Sequence, residues 1–355
     1  MGPLTFHDRE KEIEEITRIL KSPPNLITFV YGPINSGKTE LFQHLIKTLP
    51  KEYRAFYVNL RGVYVSKAED LLTVLFNVEE KEYEFKEFLK VLIDYLPDKI
   101  PPIGIPTPKN FFKKFFEERG LDNAFKYLER LFVELSSEVT PILVLDELQV
   151  IGDLKVDDLL IYKLFNLFVR LTKELHSCHV FAITSDSLFI EKIFNEAMLH
   201  GRCRYLLVDD FDYETTAEFL RKHGFDEDEI QLTWDYFGGK PVYLVEAVNN
   251  RDRLKELCES WLRLRKRQIK DALYGLNEDF RKSVLNVLST FKENEVISYE
   301  KITDELVWCI KNNILFLDPM HEILKPQSRL DLLAIRSILQ ERQGDRSRFF
   351  PRREQ

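Results

Sequence analysis

Apolar residues along this chain fall into two rhythms. Between Phe6 and Leu20, Ile13, Ile16, Thr17 and Leu20 recur at helical spacing among charges until Pro23-Pro24, which predicts an amphipathic helix. Leu26 to Tyr31 (LITFVY) is instead a continuous run rich in β-branched and aromatic residues, as expected of a strand buried on both faces. A glycine-containing turn and a helical pattern from Lys38 to Leu49 follow at once. Ala55 to Leu60, Ile142 to Leu145, Val180 to Thr184 and Tyr205 to Val208 share the character of the first run. Such strands, separated by helices, predict an α/β fold with a five-stranded parallel sheet covered on both faces.

Between the second and third strands, Arg61 to Pro141 is mostly helical in pattern. Its middle, Leu96 to Lys109, holds Pro97, Pro101, Pro102, Pro106 and Pro108, which predict an irregular, exposed loop. Beyond Asp210 the strand signal stops. Tyr213 to Gly224, Asp226 to Phe237 and Lys240 to about Leu273 read as three helices, with Gly224 and Gly238-Gly239 as stops. From about Asn277, helical patterns over Phe280 to Phe291 and Tyr299 to Leu306 precede a predicted hairpin. In it Ile314 to Leu317 and Glu322 to Leu324 flank Asp318-Pro319-Met320-His321, and a helix over Arg329 to Gln340 follows. Helix, helix, hairpin is the outline of a winged helix. The expected domains are therefore 1–210 with a helical insertion near 62–140, a helical lid over 211–275, and a winged helix over 276–355 with a basic tail.

Length agrees, since 355 residues suit two or three domains. Fifty-one basic against fifty-nine acidic residues give a net charge of −8, which argues against nucleic-acid binding driven by overall charge. No stretch approaches the roughly 18 uncharged apolar residues of a membrane span. The N-terminus turns charged within its first dozen residues, unlike a secretory signal, so a cytoplasmic protein is expected. Cys178, Cys203, Cys258 and Cys309 lie far apart, which favours small buried apolar roles over zinc or disulfides.

Candidate chemistry concentrates at the strand ends. Gly32-Pro33-Ile34-Asn35-Ser36-Gly37-Lys38-Thr39 fits G-x-x-x-x-G-K-[ST] between a predicted strand and a predicted helix, the context that motif requires. Glycines let the backbone curl so that successive N–H groups face phosphate oxygens, and the following helix, with Glu40 in its first turn, adds its positive dipole end. Lys38 brings a point charge to the β/γ-phosphates, and the Thr39 hydroxyl can ligate Mg²⁺. The strand Pro141 to Leu145 ends in Asp146-Glu147, which places acids where ligands bind in parallel sheets. Asp146 is the candidate for holding Mg²⁺ through water, and Glu147 for polarising the attacking water. Val180 to Asp186 is a buried strand with a polar end. There Thr184 is the candidate for sensing the γ-phosphate or holding the water, and the ordinary alternative is a loop capped by Ser185 or Asp186. Arg202 is a further candidate for reaching phosphate, in this or a neighbouring subunit; its ordinary alternative is a surface arginine.

These residues, with Phe6-His7-Asp8-Arg9-Glu10-Lys11-Glu12, Gly201-Arg202 and Gly238-Gly239-Lys240-Pro241, resemble the archaeal ATPase family of the AAA+/STAND P-loop group over roughly Phe6 to Val248. The resemblance implies a P-loop NTPase sheet in which the Thr184 strand lies between the acidic and P-loop strands, then a helical lid, then a winged helix. It implies ATP or ADP as ligand with Mg²⁺, Phe6 to Arg9 beside the adenine, and Pro241 bringing the lid onto the base. The implied activity is Mg²⁺-dependent ATP hydrolysis in a nucleotide-controlled conformational switch, with a nucleotide-dependent oligomer and a protein or DNA partner as further expectations. Two departures qualify it: relatives often carry a Gly-Ser pair near Asp186, and no arginine follows Lys240 before Arg251.

Two alternatives stay open: an initiator-like DNA-binding ATPase, and a regulatory scaffold locked on ADP. Arg263-Leu264-Arg265-Lys266-Arg267-Gln268-Ile269-Lys270 sets five basic residues on adjacent helix turns, and Arg346, Arg348, Arg352 and Arg353 follow near the end. Such a run is either a phosphate-binding face or a solvated one. The second helix of the expected winged helix carries Glu300, Asp304 and Glu305, which would repel phosphates and favour a protein contact.

Overall fold

The computed structural model describes residues 6–61, 68–79, 81–94, 104–112, 121–152 and 159–349. The chain forms two compact units: a sheet unit of residues 9–31 and 38–207, and a C-terminal unit of residues 208–355 that also includes 1–8 and 32–37.

Strands of the sheet unit are β1 (Ile27–Tyr31), β2 (Tyr53–Asn59), β3 (Phe76–Glu79), β4 (Ile105–Pro108), β5 (Thr140–Asp146), β6 (His179–Ile183) and β7 (Cys203–Leu207). Five of them pair in parallel in the order β2-β5-β6-β1-β7, which puts the Thr184 strand between the acidic strand and the loop-bearing strand. All five residues of β1 are buried, as its unbroken apolar run requires. The helix Lys38–Thr48 covers one face with Leu41, Phe42, Leu45 and Ile46, and the Phe42 ring meets that of Phe181 at 5.2 Å. Registers Asn59↔Asp146, Leu145↔Ala182 and Val30↔Ile183 align the carboxyl ends of four strands along one edge.

One expectation fails inside the insertion. Ile105–Pro108, predicted as exposed loop, is a buried strand paired in parallel with β3. Its prolines alternate, so both missing amides fall on one side of the strand, where an edge strand needs no donor. Gly104 N–H also bonds the Tyr57 carbonyl of β2 at 3.0 Å. Pro97, Pro101 and Pro102 lie outside the described residues.

The C-terminal unit opens with the helices Tyr213–Lys222 and Glu227–Phe237. Asp226 caps the second in a capping box with Glu229, and Gly238 ends it. The single helix expected from Lys240 to Leu273 is two, Pro241–Asn249 and Leu254–Tyr274, because the polar Asn249 to Arg253 stretch forms a break with a short 3₁₀ turn. Phe219, Leu220, Ile230, Phe237, Leu244 and Leu254 form the core of this bundle.

Beyond Glu278–Ser289, a three-stranded antiparallel sheet runs in the order β8 (Ile297–Ser298), β10 (Ile323–Pro326), β9 (Leu315–Asp318). The hairpin is as predicted; β8 was too short to leave a pattern. The helix expected over Tyr299 to Leu306 starts later, at Asp304–Lys311, where Thr303 caps it by accepting the Leu306 amide. Arg329–Phe349 is the last helix. Side chains of Arg346 and Arg348, and all of Arg352 and Arg353, lie outside the described set.

Basic residues on Leu254–Tyr274 are paired internally. Arg265 meets the buried Asp331 at 2.6 Å, Lys266 and Lys270 share Glu341, and Arg263 and Arg267 face Glu259 and Asp271, each at 3.6 Å. Cys178, Cys258 and Cys309 are buried and Cys203 half-buried.

Candidate functional site

The turn after β1 is shaped by close packing. A Cβ at Gly32 would stand 2.1 Å from the Val208 carbonyl oxygen, so only glycine fits there. Asn35 and Gly37 take positive φ, which an asparagine tolerates and a glycine favours. Ser36 donates its hydroxyl to that same Val208 carbonyl at 2.7 Å, and its amide bonds the Pro33 carbonyl at 3.3 Å. The Ile34 N–H donates to Gln327 Oε1 at 3.2 Å, and the Ile34 carbonyl accepts from Lys240 Nζ at 3.0 Å. The helix then starts at Lys38, which is buried.

In the sheet unit, the Thr39 hydroxyl donates to Asp146 Oδ2 at 2.7 Å. Asp146 is 1% exposed and also accepts from Tyr57 Oη at 2.6 Å and from the Glu147 N–H at 2.9 Å. Burial and then the Asp146 charge push the Tyr57 phenol well above its ordinary range, so it stays a donor. Among the described residues, no lysine or arginine pairs with Asp146. Glu147 stands at φ 63°, an uncommon conformation for a side-chain-bearing residue and one that recurs at functional sites. Its carboxylate accepts from Arg61 at 2.7 Å and from Gln149 Nε2. Gln149 in turn accepts the Thr184 hydroxyl at 2.7 Å, so Thr184 and Glu147 are joined through one amide. Asp186 meanwhile caps the helix Ser187–Phe194 by accepting the Leu188 and Phe189 amides, so the capping reading of this turn and the Thr184 contact coexist.

Comparison with known proteins supplies the family. A model described as an ATPase domain predominantly from Archaea matches residues 6–247. The chain belongs to this archaeal ATPase family. A second model, the C-terminal domain of an uncharacterized ATP-binding protein, matches residues 255–339. An uncharacterized ATP-binding protein of Methanocaldococcus jannaschii is 49% identical over 354 residues, covering 95% of this chain and 98% of that one. One from Pyrococcus abyssi is 48% identical over 337 residues, covering 94% and 98%. A solved Walker-type ATPase of Pyrococcus abyssi shares the fold with a TM-score of 0.61 at 18% identity, over 93% of this chain and 96% of that one. The protein is thus an ATP-binding member of the archaeal ATPases, with their P-loop fold. Among its described residues, no helix is long and apolar enough to cross a membrane.

Not every predicted residue of this archaeal ATPase joins the cluster. The Arg202 carbonyl bonds the Ile27 amide at 3.0 Å, at the amino ends of β1 and β7. That is a strand's length, about 16 Å, from the carboxyl-end acids of the sheet unit. The structure does not bring Arg202 together with Asp146, Glu147 and Thr184. Arg9 is buried with positive φ and pairs with Glu12 at 2.7 Å. Phe6 is half-buried, and the adjacent His7 ring packs against Phe211 and Phe219 at 6.2 and 5.3 Å.

Gly238 is a helix cap and Pro241 starts the next helix, as an ordinary turn would have it. A Cβ at Gly239, however, would come within 1.8 Å of the Phe211 carbonyl oxygen, so this glycine is fixed by packing. Arg251 is held by Glu229 at 2.6 Å.

Sequence reading missed Tyr57, Arg61, Gln149 and Gln327. Gln149 stood two residues past Glu147, a spacing open to inspection. The others become neighbours only through strand order and long-range folding.

Proposed function

We propose that this ATP-binding protein hydrolyses ATP with Mg²⁺ and works as a switch whose state is set by the bound nucleotide and read out by its C-terminal module. The observation that carries the reading is the Thr39–Asp146 hydrogen bond, which joins the helix after the phosphate loop to the acid at the end of β5. A hydroxyl and a carboxylate 2.7 Å apart are oxygen donors that suit a small hard cation. Mg²⁺, when bound, would neutralise charge on the β- and γ-phosphate oxygens.

The chain's own groups do the rest. Loop amides from Asn35 to Thr39 and the Lys38 ammonium bind the phosphates. Glu147 takes the proton of the attacking water, and the Gln149–Thr184 link orients its carboxylate. The new O–P bond forms in line with the breaking γ-phosphate to ADP bond. Arg61 holds the same carboxylate and must yield for Glu147 to meet water. Phe6, Arg9 and Pro241 are proposed for the adenine side, and Arg202 for a phosphate contact from a neighbouring subunit.

The hairpin module, proposed as a winged helix, is better suited to a protein contact than to duplex DNA. The helix Asp304–Lys311 carries two acids in its first turn, and the basic run of Leu254–Tyr274 is engaged internally.

Lys38→Ala is expected to abolish ATP binding in calorimetry, and unchanged affinity would refute the phosphate assignment. Glu147→Gln is expected to keep binding but lose turnover at least 100-fold. Turnover within a few-fold of wild type removes Glu147 as base.

A further inference from the structure

We propose that Gln327 and Lys240 are positioning residues for the phosphate loop, so that the C-terminal module tunes the loop's affinity for nucleotide. The proposal rests on the nucleotide reading above. Its basis is a single loop residue held through the peptide groups on either side of it: the Ile34 amide by Gln327 Oε1 at 3.2 Å, and the Ile34 carbonyl by Lys240 Nζ at 3.0 Å. All three residues belong to the C-terminal unit, which takes loop residues 32–37 as its own.

Both tethers are themselves fixed. Gln327 is 4% exposed and lies between β10 and the last helix. Its Nε2 donates to the Leu315 carbonyl at 3.3 Å and its backbone N–H to that of Ile314 at 3.0 Å, so β9 sets its direction. Lys240 is 2% exposed, stands just before the helix Pro241–Asn249, and pairs with Asp210 at 2.9 Å. Two residues before Gln327, Lys325 pairs with Asp209, so the same strand end is anchored beside Asp210 as well.

The consequence is preorganisation. A loop with Asn35 at φ 60° and two glycines has many alternative shapes, and each tether removes some of them before a ligand arrives. Neither side chain needs to touch phosphate for this. By linkage, a nucleotide that stiffens the loop tightens its grip on Gln327 and Lys240 by the same factor. A partner that draws β10 away from the loop should therefore loosen nucleotide.

Gln327→Met keeps the size but offers only a weakly accepting thioether in place of the amide oxygen. Calorimetry with ADP and with a non-hydrolysable ATP analogue should show affinity for both about five-fold weaker. Hydrogen exchange of the apo protein should quicken at the loop amides while exchange over 297–338 stays as in wild type. Gln327→Glu keeps the acceptor oxygen and should restore slow loop exchange. Lys240→Met should cost less affinity in the Gln327→Met background than in wild type, because both side chains hold the same residue. Unchanged affinity with unchanged loop exchange overturns the proposal; so does exchange that quickens equally across the C-terminal unit, which would mark a general loss of stability. If the wild-type chain binds neither nucleotide, the underlying reading fails instead, and the exchange arm still decides whether Gln327 orders the loop.

Discussion

Two buried carboxylates, Asp331 in the C-terminal unit and Asp146 in the sheet unit, have opposite surroundings. In the C-terminal unit the buried Asp331 meets Arg265 at 2.6 Å, and the half-buried Asp210 meets Lys240 at 2.9 Å. Burial raises both carboxyls above their ordinary range, and the paired cations only partly offset it. In the sheet unit Asp146, as buried as Asp331, accepts from two hydroxyls and one amide, and among the described residues no lysine or arginine pairs with it. A buried charge is tolerable when a counter-charge sits beside it. Asp331 folds with that counter-charge already present, whereas under the proposed function the counter-charge of Asp146 would come from a bound cation.

The largest expected effect tests that distinction directly. Asp331→Ala would strand the Arg265 guanidinium and is expected to cost about 4 kcal/mol in urea unfolding. Asp146→Asn keeps an uncharged group among neutral donors, and hydroxyls can rotate to accept from its amide. Its stability should stay within about 1 kcal/mol of wild type, while any Mg²⁺-dependent gain in ATP affinity disappears. Equal destabilisation by the two substitutions would erase the contrast.

A second effect belongs to the sheet unit alone. His179 at the start of β6 is 3% exposed, and burial, reinforced by the nearby Arg204 charge, lowers its pKa to about 4. The unfolded chain therefore takes up this proton first, so stability is lost as pH falls from about 6.5 toward 4, by at most about 3 kcal/mol. The raised carboxyls of Asp210 and Asp331 act with the opposite sign, favouring the folded state as pH drops toward their range. Comparing wild type with His179→Gln at pH 7 and pH 4.5 cancels them. If the two proteins lose stability in parallel, His179 does not carry the acid sensitivity.

Legibility in the sequence followed the range of the interactions. Buried parallel strands announce themselves as short unbroken apolar runs, so β1, β2, β5, β6 and β7 could be read without a structure, as could the motif from Gly32 to Thr39. Short or edge strands could not: β8 has two residues, and β4 carries alternating prolines that suggest a loop until a partner strand is in place. Asp146 and Thr39 could be singled out as candidates because one ends a strand and the other lies in the first turn of a helix. Tyr57, Arg61 and Gln327 were not, since their roles depend on neighbours 89, 86 and 293 positions away.

The smallest effect concerns the basic run, where composition invited a nucleic-acid reading and folding supplies internal partners. Lys266 and Lys270, both half-buried, reach the exposed Glu341, so Glu341→Gln should change stability by about 0.5 kcal/mol or less. Five free cations on phosphates would give a log–log salt slope of about −4.5 for duplex binding. With these side chains engaged by acids of the same chain, a mobility-shift series should show a slope near zero, unchanged in a Lys266→Ala, Lys270→Ala double variant. A steep wild-type slope that loses about 2 in that variant would show the lysines leaving Glu341 for phosphate, and the run would then be an interface after all.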